Sequence, residues 1–178
     1  LSSSQAVSRV QRAFDAKKAG HGGTLDPLAT GILPIAFGEA TKTAAFAMNG
    51  VKAYHFGVRW GEARSTDDRE GDVIKIHDYR PAARQIERAL LAFVGTIDQV
   101  PPRYSAVKID GRRAYDLARR DKAVELKPRR VEVRELRLVD VPDAERAVLS
   151  VTCGKGTYVR ALARDLANYL GTVGHVDW

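Results

Sequence analysis

Gly20-His21-Gly22-Gly23-Thr24-Leu25-Asp26-Pro27-Leu28-Ala29-Thr30-Gly31 places four glycines and one proline in twelve residues. No regular helix or strand tolerates that density, so the fold must accommodate a fixed loop between two apolar elements. The loop holds one carboxylate, Asp26, between Leu25 and the rigid ring of Pro27, which biases Asp26 away from the α region. On chemistry alone this is either an Asp-Pro turn or a loop that lets a ligand approach the backbone closely.

On the N-terminal side of the loop, Val7, Val10, Ala13 and Phe14 recur at helical spacing while Arg9, Arg12, Lys17 and Lys18 face outward. Ser3 or Ser4 is the expected N-cap. On the other side, Ile32 to Phe37 reads as a short buried strand and Glu39 to Met48 as a helix. Residues 51–60 put Tyr54, Phe56, Val58 and Trp60 on one parity, the alternation of a half-buried strand. A polar, acidic loop over 61–72 leads to a strand at Val73 to His77. A helix over Arg84 to Val94 stops at Gly95.

Pro101 and Pro102 break the chain before Tyr104 to Ile109, Asp110-Gly111 signals a turn, and Ala114 to Arg120 suits a short helix. Arg130 to Val141 and Arg146 to Thr152 alternate as two strands joined at Pro142-Asp143. A helix over Thr157 to Leu170 closes at Gly171. Helices and strands intermix without regular βαβ alternation, which predicts an α+β domain: a mixed, mostly antiparallel sheet with flanking helices.

At 178 residues the chain is one domain by size and needs no disulfide for its core. Cys153 is its single cysteine and His21, His55, His77 and His175 lack metal-ligand spacing, so no metal or cysteine-zinc site is expected. Solitary cysteine, no long apolar run and no leader together fit a soluble protein of the reducing cytoplasm. The 29 Lys+Arg against 22 Asp+Glu give a net charge of +7, suited to a polyanion such as nucleic acid. Arg112-Arg113, Arg119-Arg120 and Lys127 to Arg130 concentrate that charge. Gly154-Lys155-Gly156-Thr157 is not an ATP loop, because Gly156 separates Lys155 from Thr157.

Ala19 to Pro34, followed by Gly38-Glu39-Ala40-Thr41-Lys42, resembles the signature of the bacterial TruB family of tRNA pseudouridine synthases. Three further blocks resemble the family's motifs in the same order: Lys52-Ala53-Tyr54, Val100 to Lys108 with Gly111 and Ala114-Tyr115, and Cys153 to Arg160. The resemblance implies the pseudouridine synthase fold and isomerisation of uridine to pseudouridine in the T-loop of tRNA, without metal or organic cofactor. It makes Asp26 the nucleophile and Arg160 the guanidinium that pairs with it and keeps it ionised. Tyr54 would stack on the flipped uracil, its phenol available for proton transfer from C5. His21 would fill the space the uridine vacates, and Tyr158 would contact substrate.

Each residue also has a plainer reading. Tyr54 shares parity with Phe56 and Trp60 and fits a core role. Arg160 fits an exposed helix face, His21 a turn, and Tyr158 a helix start.

The family begins with a short strand and a Lys-Pro-x-Gly segment, and continues past Gly174-His175-Val176, often into a PUA domain. Residues 1–178 are therefore expected to be a catalytic domain truncated at both ends. Gly22-Gly23 stands where the family commonly has Thr-Gly or Ser-Gly. The expected partner is the T-arm of tRNA, bound by a monomer without guide RNA. The rivals are a non-catalytic RNA-binding or tRNA-folding module and a guide-RNA-dependent relative; the wording Leu28 to Pro34 is bacterial in style.

Overall fold

The structure, a computed structural model, describes residues 1–105, 107–109, 112–113 and 126–178. They form two compact units, Leu1–Val51 and Lys52–Trp178. The expected turn at Asp110-Gly111, the expected helix at Ala114 to Arg120 and the Arg119-Arg120 cluster lie outside the described residues.

In the first unit, helix α1 spans Ser3–Ala13. Its N-cap is Ser2, not Ser3 or Ser4. Gln5 decides this, because the Gln5 amide donates to Ser2 Oγ at 3.2 Å and the Ser2 amide donates to Gln5 Oε1 at 2.8 Å, a reciprocal capping box. Ser3 is thereby turned inward and buried. Of the expected apolar stripe Val7 is buried, whereas Phe14 stays 72% exposed. Strands β1 (Ala19–His21) and β2 (Ile35–Phe37) pair antiparallel, so the Gly/Pro loop is the connection of a hairpin. The expected strand is thus shortened at its start, and the expected helix from Glu39 begins as a 3-10 turn, Gly38–Thr43, before α2 at Ala44–Asn49.

The second unit is built on a five-stranded antiparallel sheet. Its strands are β3 (Lys52–Trp60), β6 (Gly95–Gln99), β9 (Arg129–Asp143), β10 (Arg146–Cys153) and β11 (Gly174–Val176), in the order β11-β3-β10-β9-β6. Strands β4 (Glu62–Arg64) and β5 (Val73–Ile76) form a separate pair, as do β7 (Lys108–Ile109) and β8 (Arg112–Arg113). Helices α3 (Ala83–Leu90) and α4 (Val159–Tyr169) cover one face of the large sheet. The alternation read from residues 51–60 holds: Phe56, Val58 and Trp60 join Leu149, Val151, Ile86, Leu162 and Leu166 in the core. The opposite face carries ion pairs, including Arg59 to Glu145 at 3.1 Å and Arg137 to Glu135. One face dry and one face charged is what period-two patterning of an antiparallel sheet produces.

Several boundaries differ from expectation, β4 among them, which lies inside the expected loop over 61–72. The β9–β10 turn falls at Ala144-Glu145, where Asp143 Oδ1 accepts from the Glu145 amide at 2.9 Å, and Pro142 sits at the strand end. Strand β6 has no apolar alternation to announce it and is recruited by β9, which supplies its ladder. Gly171 stops α4 as expected, with a φ of 77° that a side chain would disfavour. The expected helix to Val94 ends early: α3 stops at Leu90, a 3-10 turn spans Leu91–Phe93, Val94 is extended, and Gly95, φ 101°, opens β6.

His175 on β11 is 1% exposed. Its Nδ1 lies 2.8 Å from the Glu62 carbonyl, which can only accept, so Nδ1 carries the proton and Nε2 is the titrating site. Nε2 is buried with no partner among the described residues, and burial holds the His175 pKa below the ordinary 6.5. Below pH 6.5 the unfolded chain therefore takes up a proton that the folded one refuses, and stability falls with pH. The slope is at most about 1.4 kcal/mol per pH unit for one group. Urea unfolding at stepped pH should show this loss beginning near neutrality, and His175→Gln should flatten it. Glu62, held low by its hydrogen bond to Arg64, contributes its own loss only below 4.5.

Candidate active site

In the first unit the loop bearing Asp26 is fixed from both sides. The buried Ser3 hydroxyl accepts from the Leu25 amide at 3.0 Å and donates to the Leu25 carbonyl at 3.2 Å, pinning the residue before Asp26. The Ala29 amide then donates to the Asp26 carbonyl at 2.9 Å. Asp26-Pro27-Leu28-Ala29 is therefore a β-turn with proline at its second position. The turn reading was right about geometry, and it is compatible with a reactive role, because the turn leaves the Asp26 side chain exposed.

His21 belongs to β1, opposite Ile35, rather than to a turn. Its Nδ1 is buried without a hydrogen-bond partner among the described residues. A β-carbon on Gly22 would come 3.0 Å from the Ala47 β-carbon, closer than such contacts ordinarily pack, so the room beside Gly22 is taken by Ala47.

In the second unit Tyr54 is half-buried on β3, opposite Val151, and packs against the core from its edge. The core reading of Tyr54 thus holds in part. Tyr158 caps α4, and Gln99 at the end of β6 grips it: the Tyr158 amide donates to Gln99 Oε1 at 2.8 Å and Gln99 Nε2 donates to the Tyr158 carbonyl at 3.2 Å. A buried amide side chain thus fixes the first turn of α4.

Arg160, two residues on, is 6% exposed, which removes the reading as an exposed helix-face arginine. Its Nη1 donates to the Thr66 carbonyl at 2.9 Å and lies 3.5 Å from Asp68 Oδ2, and its Nη2 donates to the Tyr104 carbonyl at 2.9 Å. Asp68, 6% exposed, is itself held by Thr66 Oγ1 at 2.5 Å and the Glu70 amide at 3.0 Å. A planar guanidinium bound by fixed acceptors in a poorly hydrated site is oriented before any ligand arrives.

Asp67, Asp68, Gln99 and Arg164 were missed by sequence reasoning. Their signal was present: two adjacent carboxylates in the acidic loop, and two arginines one helical turn apart in α4. Arg164 Nη1 lies 2.9 Å from Asp67 Oδ2. Burial pushes the Asp67 carboxyl above its ordinary pKa of 3.8, outweighing the arginine beside it. Cys153 is fully buried and its thiol is pushed up by burial, so it offers no nucleophile. Among the described residues no cluster of His, Cys, Asp or Glu suits a metal ion, and no helix is long and apolar enough to cross a membrane.

Residues 11–159 match the model of the TruB family pseudouridylate synthase N-terminal domain. The tRNA pseudouridine synthase B of Caulobacter vibrioides is 58% identical over 176 residues, covering 99% of this chain and 57% of that protein. Its counterpart from Rhodospirillum rubrum is 57% identical over 176 residues with the same coverage. The chain thus spans little more than half the length of these curated relatives. Among solved structures, a Cbf5-Nop10-Gar1 complex superposes with a TM-score of 0.73 at 24% identity, covering 99% of this chain and 43% of the matched one. At that identity the likeness speaks for the fold, and it bears out the expected fold class.

Proposed function

Since the chain belongs to the TruB family of pseudouridylate synthases, we propose that it is the catalytic part of an enzyme isomerising uridine to pseudouridine in the T-loop of tRNA. The observation that carries the mechanism is the buried Arg160, its guanidinium oriented by Asp68 and two carbonyls. In this reading Arg160 pairs with Asp26 and keeps the carboxylate ionised for nucleophilic attack on the flipped nucleotide, and the covalent bond so formed breaks again as the carboxylate leaves. The N1 to C1′ bond breaks, the base turns, C5 bonds to C1′, C5 releases its proton and N1 gains one. Atoms and oxidation state balance, so the reaction requires no redox cofactor.

In the same reading Tyr54 stacks on the uracil and its phenol serves the proton transfer from C5. His21 occupies the vacated stack and Tyr158 lines the substrate. The net charge of +7 supports binding of the T-arm phosphates. The enzyme acts as a cytoplasmic monomer without guide RNA.

The test supplies tRNA tritiated at uracil C5 to the protein expressed from its complete reading frame. Label release without added guide RNA is expected. Return of unmodified tRNA after prolonged incubation would favour a binding or folding module, and release only on adding guide RNA would favour a guide-dependent enzyme.

A further inference from the structure

Arg160 depends on carbonyls from two segments far apart in sequence, Thr66 and Tyr104. The Thr66 segment is tied to β11, where the Val176 amide donates to the Asp67 carbonyl and the Arg69 amide donates to the Val176 carbonyl, each at 3.0 Å, while Tyr104 lies in irregular backbone. Setting the two carbonyls at the spacing one guanidinium requires calls for a side chain that reaches both segments.

Arg164 meets that requirement. Its Nη1 pairs with Asp67 next to Thr66, and its Nη2 donates to the Val100 carbonyl at 2.7 Å, at the start of the segment leading to Tyr104. Its Nε is held by Asp165 at 2.8 Å, which fixes the plane of the fork. Positions 160 and 164 share a face of α4, so the two arginines and the consecutive carboxylates Asp68 and Asp67 form two parallel rungs.

Asp67 adds an independent observation. Its φ of 60° is a left-handed conformation that glycine adopts at less cost. In that conformation its carboxylate meets Arg164, so a modest backbone cost accompanies the ion pair.

We propose that Arg164 and Asp67 form a positioning clasp that sets the Arg160 guanidinium for catalysis without touching substrate, a role that rests on the one assigned to Arg160 above. Losing the clasp leaves Arg160 charged but free to shift, so the chemical step slows while tRNA binding persists.

Asp67→Asn, Asp67→Gly and Arg164→Met, made in the protein from its complete reading frame, test this by single-turnover tritium release and tRNA binding. Each should slow release about 10- to 100-fold, with Kd for tRNA within about twofold of the parent. Combining Asp67→Asn with Arg164→Met should cost no more than either alone. Asp67→Gly relieves the strained φ, so it should lose rate without a matching loss in thermal midpoint, which a merely structural pair would not do. If Arg164→Met does not fold, the two Asp67 variants decide. Wild-type rates in folded variants, or a loss confined to Kd, overturn the clasp. Asp26→Asn and Arg160→Lys run in parallel: if they too retain activity, the reading of Arg160 has failed, and if they alone lose it, only the clasp has.

Discussion

Asp26→Asn is expected to reduce tritium release from C5-labelled tRNA by at least about 10⁴-fold, the scale on which removal of a nucleophile acts. The amide keeps the shape of the carboxylate and cannot attack carbon. The substitution separates chemistry from folding because of where Asp26 sits. What the turn requires of this residue is its backbone carbonyl, which accepts from the Ala29 amide and which Asn supplies equally well. The side chain is exposed, so the melting transition should stay in place and tRNA should still bind. Release at the parent rate would remove Asp26 from the mechanism altogether.

Arg160 gives the second large effect, and two substitutions divide it. Arg160→Met leaves the Asp68 carboxylate buried with no cation opposite, at a cost of about 3–5 kcal/mol for breaking a buried pair. That is a large share of a typical domain's stability of about 5–15 kcal/mol. It also leaves the Thr66 and Tyr104 carbonyls without their donor. Arg160→Lys keeps the charge near Asp68 and loses the planar fork, so one ammonium must serve acceptors that two nitrogens now reach. The lysine variant should fold, with most of the stability retained, and still release tritium about 10²-fold or more slowly. Urea unfolding and single-turnover kinetics read the two effects separately. Full turnover in Arg160→Lys would show that a point charge suffices and that the fixed orientation is irrelevant.

Legibility in the sequence followed the range of the forces involved. The strand at 52–60 was readable because burial of one face imposes a two-residue period that the chain displays. The helix end at Gly171 was readable because a left-handed φ selects glycine locally, whereas the end of α3 at Leu90, five residues before Gly95, was not. The cap of α1 was misplaced by one or two residues, since three consecutive serines compete and only the reach of Gln5 back to Ser2 chooses among them. Strand β6 was not readable, because its hydrogen bonds come from β9, more than thirty residues further along the chain.

The sequence by itself determined the loop around Asp26, the alternation that buries Phe56, Val58 and Trp60, and, through ordered motifs, the family and the residues, Asp26, Tyr54 and Arg160, for which we propose catalytic roles. Those are properties of neighbouring residues, or of words that stay intact along the chain. Only the tertiary structure decided that Arg160 is buried and that Asp68, Thr66 and Tyr104 hold it, with Arg164 and Asp67 alongside. The physical reason is desolvation. A charged pair has little worth or direction until folding removes water from around it, and which residues lose their water together is a fact about packing that sequence spacing does not record.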